Sequence, residues 1–447
     1  MEGLEISVVK LSEVLEDVDL RLESEYYNSE HIVFNSVQGC DIESFSQYGT
    51  SEDLNEEGKG FPILRLNEFD SFFISKPSKY CDLISKETFE LLKLKKNDVL
   101  ICRTNGNPKY VGKAAIVPKN YEYAFASYVF RLRPKTDIIN SATLVSFLNS
   151  KYGRIEIEKY SMVGNQANFS PAKFRQIAIP ILSKELNNKI EEIVYKSFEL
   201  LEESKSLYSQ AEDLLLGELG LKDWRPKNTL HTTKKFSDFA QSGRLDAEFY
   251  QPKYDEIEKV IKSYKGGYDI VSNLFNQNLD VCDYKKTEYN YIEIGDVNVG
   301  DGSVSFNKVE TSELPDNAKR VLNKNDILIS KVRPYRGAVA IIDFEQEDLI
   351  GSGAFTVLQE KSSYKKETLQ ILFRTAVYKD WLLKWNVGSS YPVIKDEDIL
   401  NLPIPILPEQ IQTKIASLIQ QSFECKAQSK QLLEDAKRMV EAEIEKN

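Results

Sequence analysis

At 447 residues, 41% hydrophobic and 28% charged, the chain exceeds one compact core, suggests two or three domains, and has no apolar run long enough to cross a bilayer. Its net charge of −11 argues against a uniformly basic nucleic-acid surface, yet residues 60–180 hold 19 Lys+Arg against 10 Asp+Glu, while residues 285–407 hold 16 against 18. Five scattered cysteines without a Cys-x-x-Cys pair exclude a disulfide framework or zinc site, and two histidines, His31 and His231, leave little for a His-based triad or metal centre.

In chain order, Met1–Lys10 offers no signal-peptide core, and a cytoplasmic protein is expected. The segment Arg21-Leu22-Glu23-Ser24-Glu25-Tyr26-Tyr27 precedes a run of short β-rich stretches: Phe61–Leu66, Val99–Cys102, Ala114–Val117 and Tyr128–Leu132. A helical stretch follows near Ala142–Lys159, then a polar turn, Gly164-Asn165-Gln166-Ala167-Asn168-Phe169-Ser170, then Ile179-Pro180-Ile181-Leu182. From Ser183, a plausible N-cap, a long helix is expected to residue 220. Its apolar stripe takes Leu186, Ile190, Ile193, Ser197, Leu200, Ser204, Leu207, Ala211 and Leu214 at spacings of four and three. Residues 221–243, rich in Thr and Lys, read as a link.

The chain is then written again. Arg244-Leu245-Asp246-Ala247-Glu248-Phe249-Tyr250 echoes the first such segment, and Asn325-Asp326-Ile327-Leu328-Ile329 repeats Asn97-Asp98-Val99-Leu100-Ile101 at an offset of 228. Gly337-Ala338-Val339-Ala340-Ile341-Ile342 repeats Gly112-Lys113-Ala114-Ala115-Ile116-Val117 at 225, and Ile404-Pro405-Ile406-Leu407 repeats the Ile-Pro-Ile-Leu block at the same offset. Strands are expected at Tyr291–Ile294, Ile327–Ser330, Ala338–Ile342 and Ala354–Leu358, and helix near Lys366–Lys384. From Pro408 a second long helix repeats the stripe as Ile411, Ile415, Leu418, Ser422, Cys425, Ser429, Leu432, Ala436 and Met439. A sustained 3.5-residue period belongs to helices that supercoil on a partner, and roughly 30–38 residues of helix span about 45–57 Å. The expected fold is therefore α+β. Two similar globular domains with largely antiparallel sheets (1–182 and 244–407) are separated by an antiparallel two-helix coiled coil (183–220 and 408–447).

Two loops carry groups suited to base edges and phosphates. Between two apolar strands stand Arg103, Thr104, Asn105, Asn107, Lys109, Tyr110 and Lys113, with glycines that allow close backbone approach. The matching loop has Lys331, Arg333, Tyr335 and Arg336, so one scaffold presents different tips. A second surface is the turn before each Ile-Pro-Ile-Leu block: Asn165, Gln166 and Asn168 in the first copy, Ser389, Ser390 and Tyr391 in the second. These serve equally as phosphate contacts or as plain turns. No GxxxxGK[ST] or GxGxxG phosphate loop is present, nor an Asn/Asp-Pro-Pro-Tyr/Phe tetrad, and no catalytic set stands out.

Two variable domains, each followed by a long helix, with Pro403-Ile404-Pro405 leading into Glu409-Gln410-Ile411, resemble the specificity subunit of type I restriction–modification enzymes. The Asn97–Val117 stretch and the Gly-Asn-Gln-Ala-Asn turn at Gly164 resemble that family's recognition blocks, while Gly388-Ser389-Ser390-Tyr391 departs from them. The resemblance implies a non-catalytic reader of double-stranded DNA, each domain reading one half of a split target. It also implies two methyltransferase subunits and motor-nuclease subunits as partners, these binding the S-adenosylmethionine, ATP and magnesium. The other readings are a protein-interaction scaffold without DNA, and an enzyme with an unrecognised site.

Overall fold

A computed structural model describes residues 8–16, 34–161, 167–227, 229, 231–388 and 391–446. The expected segment 21–27, His31, the turn residues Gly164, Asn165 and Gln166, and Ser389 and Ser390 lie outside them. By contact the chain divides into two compact units, residues 1–201 with 427–447 and residues 202–426, so each takes one half of each long helix.

In the first unit, β1 (Glu43–Tyr48), β2 (Val99–Cys102), β3 (Ala114–Ile116) and β4 (Val129–Pro134) form an antiparallel sheet in the order β1-β4-β2-β3. In the second, β5 (Phe275–Gln277), β6 (Ile327–Ser330), β7 (Val339–Ile341) and β8 (Phe355–Glu360) form a sheet in the order β5-β8-β6-β7. The register is the same in both: Leu100 lies opposite Ala115 and Leu328 opposite Ala340. Continuous apolar runs such as Val99-Leu100-Ile101-Cys102 and Ile327-Leu328-Ile329 suit this place, because every residue of β2 and β6 is buried on both faces of the sheet.

Each unit has a further sheet that the sequence pattern only half revealed. Phe61–Leu64 pairs antiparallel with Lys79–Cys81 and parallel with Ala124–Phe125. Correspondingly, Glu288–Ile292 pairs antiparallel with Asn307–Glu310 and parallel with Leu349–Ser352. The Ile-Pro-Ile-Leu blocks are also explained: Ala178–Pro180 and Pro403–Pro405 are edge strands paired with Ser36–Gln38 and Tyr268–Ile270, a position where proline's missing N–H costs no ladder bond.

The helical stretches are broken where the sequence supplies caps. Ser141–Leu148 ends at Asn149 and Lys151–Tyr160 starts from Ser150, whose hydroxyl accepts from the Gly153 N–H. Lys366–Arg374 and Ala376–Trp381 are divided at Thr375 in the same way. Within the expected link, Phe236–Ser242 is a short helix closed by Gly243 at φ 67°.

The Asn-Asp pair that opens the repeated blocks at Asn97 and Asn325 has a structural cause. Asn97 and Asn325 adopt φ 71° and 75°, the left-handed conformation asparagine tolerates, and the next residue, Asp98 or Asp326, is buried. Asp98 accepts from Arg131 at 3.2 Å, Arg133 Nε at 2.5 Å and the Lys95 N–H at 2.9 Å. Asp326 instead accepts from the amides of Asn278 and Gln359 and the Asn323 N–H, and burial pushes its carboxyl up. One turn is thus supported by guanidiniums in one copy and by neutral amides in the other.

The long helices run Lys184–Glu218 and Glu409–Ile444. In the first unit Ile190, Val194 and Leu201 share a core with Leu433, Ala436 and Val440, and the Ser197 and Ser429 hydroxyls lie 2.8 Å apart. In the second, Ala211 and Leu215 share a core with Ile415 and Ile419, and the Ser204 and Ser422 hydroxyls lie 3.0 Å apart. The expected stripe needs a correction at alternate positions. Ile190, Ser197, Ser204 and Ala211 are buried, as are Ile415, Ser422, Ser429 and Ala436. Between them, however, Val194, Leu215, Ile419, Leu433 and Val440 are the deeply buried residues, and Ile193, Leu214, Leu418, Leu432 and Met439 are only half-buried beside them. Leu186, Leu207 and Ile411 are half-buried too, while Leu200 is buried next to Leu201. Apolar residues occupy both members of each adjacent pair, so periodicity alone had two equal phases. A helix that packs on its own domain as well as on another helix buries a stripe broader than a two-position seam. No helix among the described residues is long and apolar enough to cross a membrane.

Candidate nucleic-acid interface

The hairpin loop after β2 is held open by its own backbone. Arg103 N–H donates to the Tyr128 carbonyl, and Gly112 N–H returns to the Cys102 carbonyl at 2.8 Å. Asn105 and Asn107 each accept a main-chain N–H two residues on, from Asn107 at 2.8 Å and Lys109 at 3.0 Å. Their amide oxygens therefore shape the loop, and what they can offer a ligand is the NH2 group. From behind, Arg154 donates to the Val111 carbonyl. Thr104 pairs with Asn168, with Phe169 N–H donating to the Arg103 carbonyl, so the two polar segments expected as separate surfaces meet.

The loop after β6 repeats this construction. Lys331 N–H donates to the Ala354 carbonyl, Ile394 N–H donates to the Lys331 carbonyl, and Val332 pairs with Val393. Arg333 sits at φ 48°, a conformation that costs a non-glycine residue about 1–2 kcal/mol. Its N–H bond to the Pro392 carbonyl and the turn Pro334–Arg336 hold it there.

Arg438 on the last helix apart, the two loops differ from the rest of the described surface in what their arginines do. Elsewhere guanidiniums are committed: Arg131 and Arg133 to Asp98, Arg175 to Glu43, Arg244 to Asp246, Arg374 to the Gly337 carbonyl. Among the described residues, Arg103, Arg333 and Arg336, with Arg438 on the last helix, have side chains that join no hydrogen bond or ion pair. Arg103 lies over the Tyr48 ring at 5.2 Å and Arg333 over the Tyr391 ring at 4.4 Å. A stacked guanidinium is fixed in direction while its N–H fork stays open for a base edge or phosphate. Lys109, Tyr110, Tyr335 and Arg336 are exposed, and Lys113 lies 5.9 Å from the Tyr110 ring. Lys331 departs from expectation: it is ion-paired with Asp396 at 3.1 Å and fastens the loop to its own unit.

Three contributors were missed in the sequence. Arg65 and Asn67 line an open concavity with Thr104, Asn105, Gly106 and Tyr128, and Tyr48 underlies Arg103. A repeat could have found the first pair: Leu64-Arg65-Leu66-Asn67-Glu68 matches Ile292-Glu293-Ile294-Gly295-Asp296 at the 228 offset, and in each the fifth residue accepts the N–H of the second. Beside the first loop the Cys102 thiol is pushed up to about 12 by burial, so it is neutral and inert rather than a nucleophile.

The glycines closing the loops give a differential prediction. Gly112 and Gly337 both have positive φ, 77° and 71°. An added Cβ would meet Ile157 Cγ2 at 2.3 Å in the first case but the flexible Lys379 chain in the second. Both Ala variants lose about 1–2 kcal/mol to the left-handed conformation. Gly112→Ala must also displace a fully buried isoleucine, so chemical denaturation is expected to show it as the more destabilised of the two.

Two copies of one α+β fold each present uncommitted guanidiniums on an equivalent loop. The family model for the type I restriction modification DNA specificity domain matches residues 269–438 of the chain. The match includes the Pro403-Ile404-Pro405 block from which the resemblance was read. Among solved structures the chain is similar to the type I restriction–modification S subunit from M. genitalium. That match has 13% identity and a TM-score of 0.43, over 93% of this chain and 96% of that one. It is similar also to the HsdS subunit from Thermoanaerobacter tengcongensis, with 13% identity and a TM-score of 0.28 over 92% and 96%. No curated protein sequence matches it.

Proposed function

We propose that this chain is the non-catalytic, DNA-reading specificity subunit of a type I restriction–modification assembly. The first unit reads one half of a split asymmetric target through the loop around Arg103. The second reads the other half through the loop around Arg333, and the two long helices set the number of unread base pairs between. Methyltransferase and motor-nuclease subunits are the proposed partners, and S-adenosylmethionine, ATP and magnesium are theirs to bind. The observation that carries this reading is the coincidence of free, ring-stacked arginines at equivalent loops of a duplicated fold. The spacer role is supported by the Ser197–Ser429 and Ser204–Ser422 contacts, which step seven residues forward along one helix and seven backward along the other.

Selection of bound duplexes from a random pool by the full chain, with a methyltransferase subunit present, is expected to yield two short conserved blocks at a fixed gap. Binding is expected to fall steeply as salt rises from about 50 to 200 mM, because each phosphate contact releases counterions. Enrichment of no sequence at all would instead favour a protein-interaction scaffold.

A further inference from the structure

Three valines of the second unit form a row that the fold does not use. Val332 lies directly opposite Val393, flanked by the Arg333-to-Pro392 and Ile394-to-Lys331 main-chain bonds, which makes them a non-hydrogen-bonded pair with their side chains close together. On its other side Val393 exchanges both main-chain bonds with Val387. Opposed residues point to the same face, so all three side chains stand side by side. Val387 is 60% and Val393 38% exposed, and none of the three joins a core cluster of the described residues. Single exposed apolar side chains are ordinary; two adjacent ones beside a half-buried third on a loop surface are not.

The first unit shows what the same geometry holds elsewhere. There the equivalents of Val332 and Val393 are Thr104 and Asn168, paired across the same bridge. Threonine and valine have the same shape, so the backbone demands neither, and what changes is chemistry: a hydroxyl in one copy, a methyl in the other. Beside the valines stand Arg333, stacked on half-exposed Tyr391, and exposed Arg336. An apolar strip bordered by free guanidiniums fits a polyanion that carries an apolar group. In the major groove of DNA that group is the C5 methyl of thymine.

We propose that Val332, Val387 and Val393 seat thymine methyl groups, so that the half-site read by the second unit depends on thymine while that read by the first does not. This rests on the DNA-reading function proposed above. The test uses the full chain and the target selected by it. The half-site whose base preference collapses in Arg333→Ala is assigned to the second unit. Its thymines are then replaced one at a time by deoxyuridine, which removes the methyl and keeps the pairing. Loss of one seated methyl is expected to weaken binding roughly three- to fivefold, with no effect of the same replacement in the other half-site. In Val393→Thr and Val387→Thr, isosteric changes at exposed positions, the difference between thymine and uracil is expected to shrink. Equal affinity for thymine and uracil duplexes, with sequence preference otherwise intact, would overturn the thymine assignment and leave the DNA reading standing. Absence of any sequence preference would overturn both, and would point to a protein covering the valines.

Discussion

Replacing Arg103 by alanine is expected to relax base preference in one half of the target and leave the other half as it was. The guanidinium is held over Tyr48 and donates to nothing else, so its N–H fork is available for the ligand alone. A bidentate contact from arginine to a base edge discriminates by about 1–3 kcal/mol, roughly five- to 150-fold. Because the residue supports no other side chain by hydrogen bond, the folded state has little to lose, and the thermal midpoint is expected to stay close to that of the parent. Arg103→Lys is the informative companion: it keeps the charge but not the fork. If Arg103 only neutralises phosphate, lysine restores binding and the salt slope is unchanged; if it reads a base, lysine leaves the half-site degenerate. Unchanged preference in both variants would remove this loop from the reading surface.

The duplication was legible because it rests on residues with local causes. Asn97 and Asn325 are needed at left-handed turns, Asp98 and Asp326 at buried caps, Gly112 and Gly337 at loop closures, and the proline blocks at sheet edges. Each leaves a fixed letter at a fixed spacing. The second sheet of each unit was harder. Its strands Lys79–Cys81, Ala124–Phe125 and Asn307–Glu310 are short and exposed or irregular in pattern, so they carry little alternation to read. Long-range pairing decides them, as it decides which of Ile193 and Val194 turns inward.

The site was legible only as a pair of loops. Sequence identified Arg103, Arg333 and Arg336 as candidates alongside Lys331, Asn105 and Asn107, because all have groups that pair with nucleic acid. What separates them is occupancy. Lys331 is taken by Asp396, and the amide oxygens of Asn105 and Asn107 by their own loop. Tyr48 and Tyr391, which aim the two arginines, come from elsewhere in the chain; Tyr391 stood in the sequence as a candidate contact but not as the support of Arg333, and Tyr48 not at all.

Deleting one heptad from both long helices is expected to shift the accepted gap between half-sites without changing the half-sites. Removing residues 198–204 from the first and 422–428 from the second keeps Ser197 opposite Ser429 and preserves the order of apolar layers on either side. Seven residues of helix rise about 10.5 Å, close to three base pairs of B-form duplex. The original target is therefore expected to be bound no better than random duplex, while one with a gap shorter by about three base pairs is bound as the parent binds its own. Deletion from one helix alone puts Ser against apolar positions and breaks the pairing, so that variant is expected to unfold rather than to read a new gap. Selection from a random duplex pool reports all three outcomes. If the double deletion folds, binds DNA and still selects the parental gap, the helices do not set the spacing.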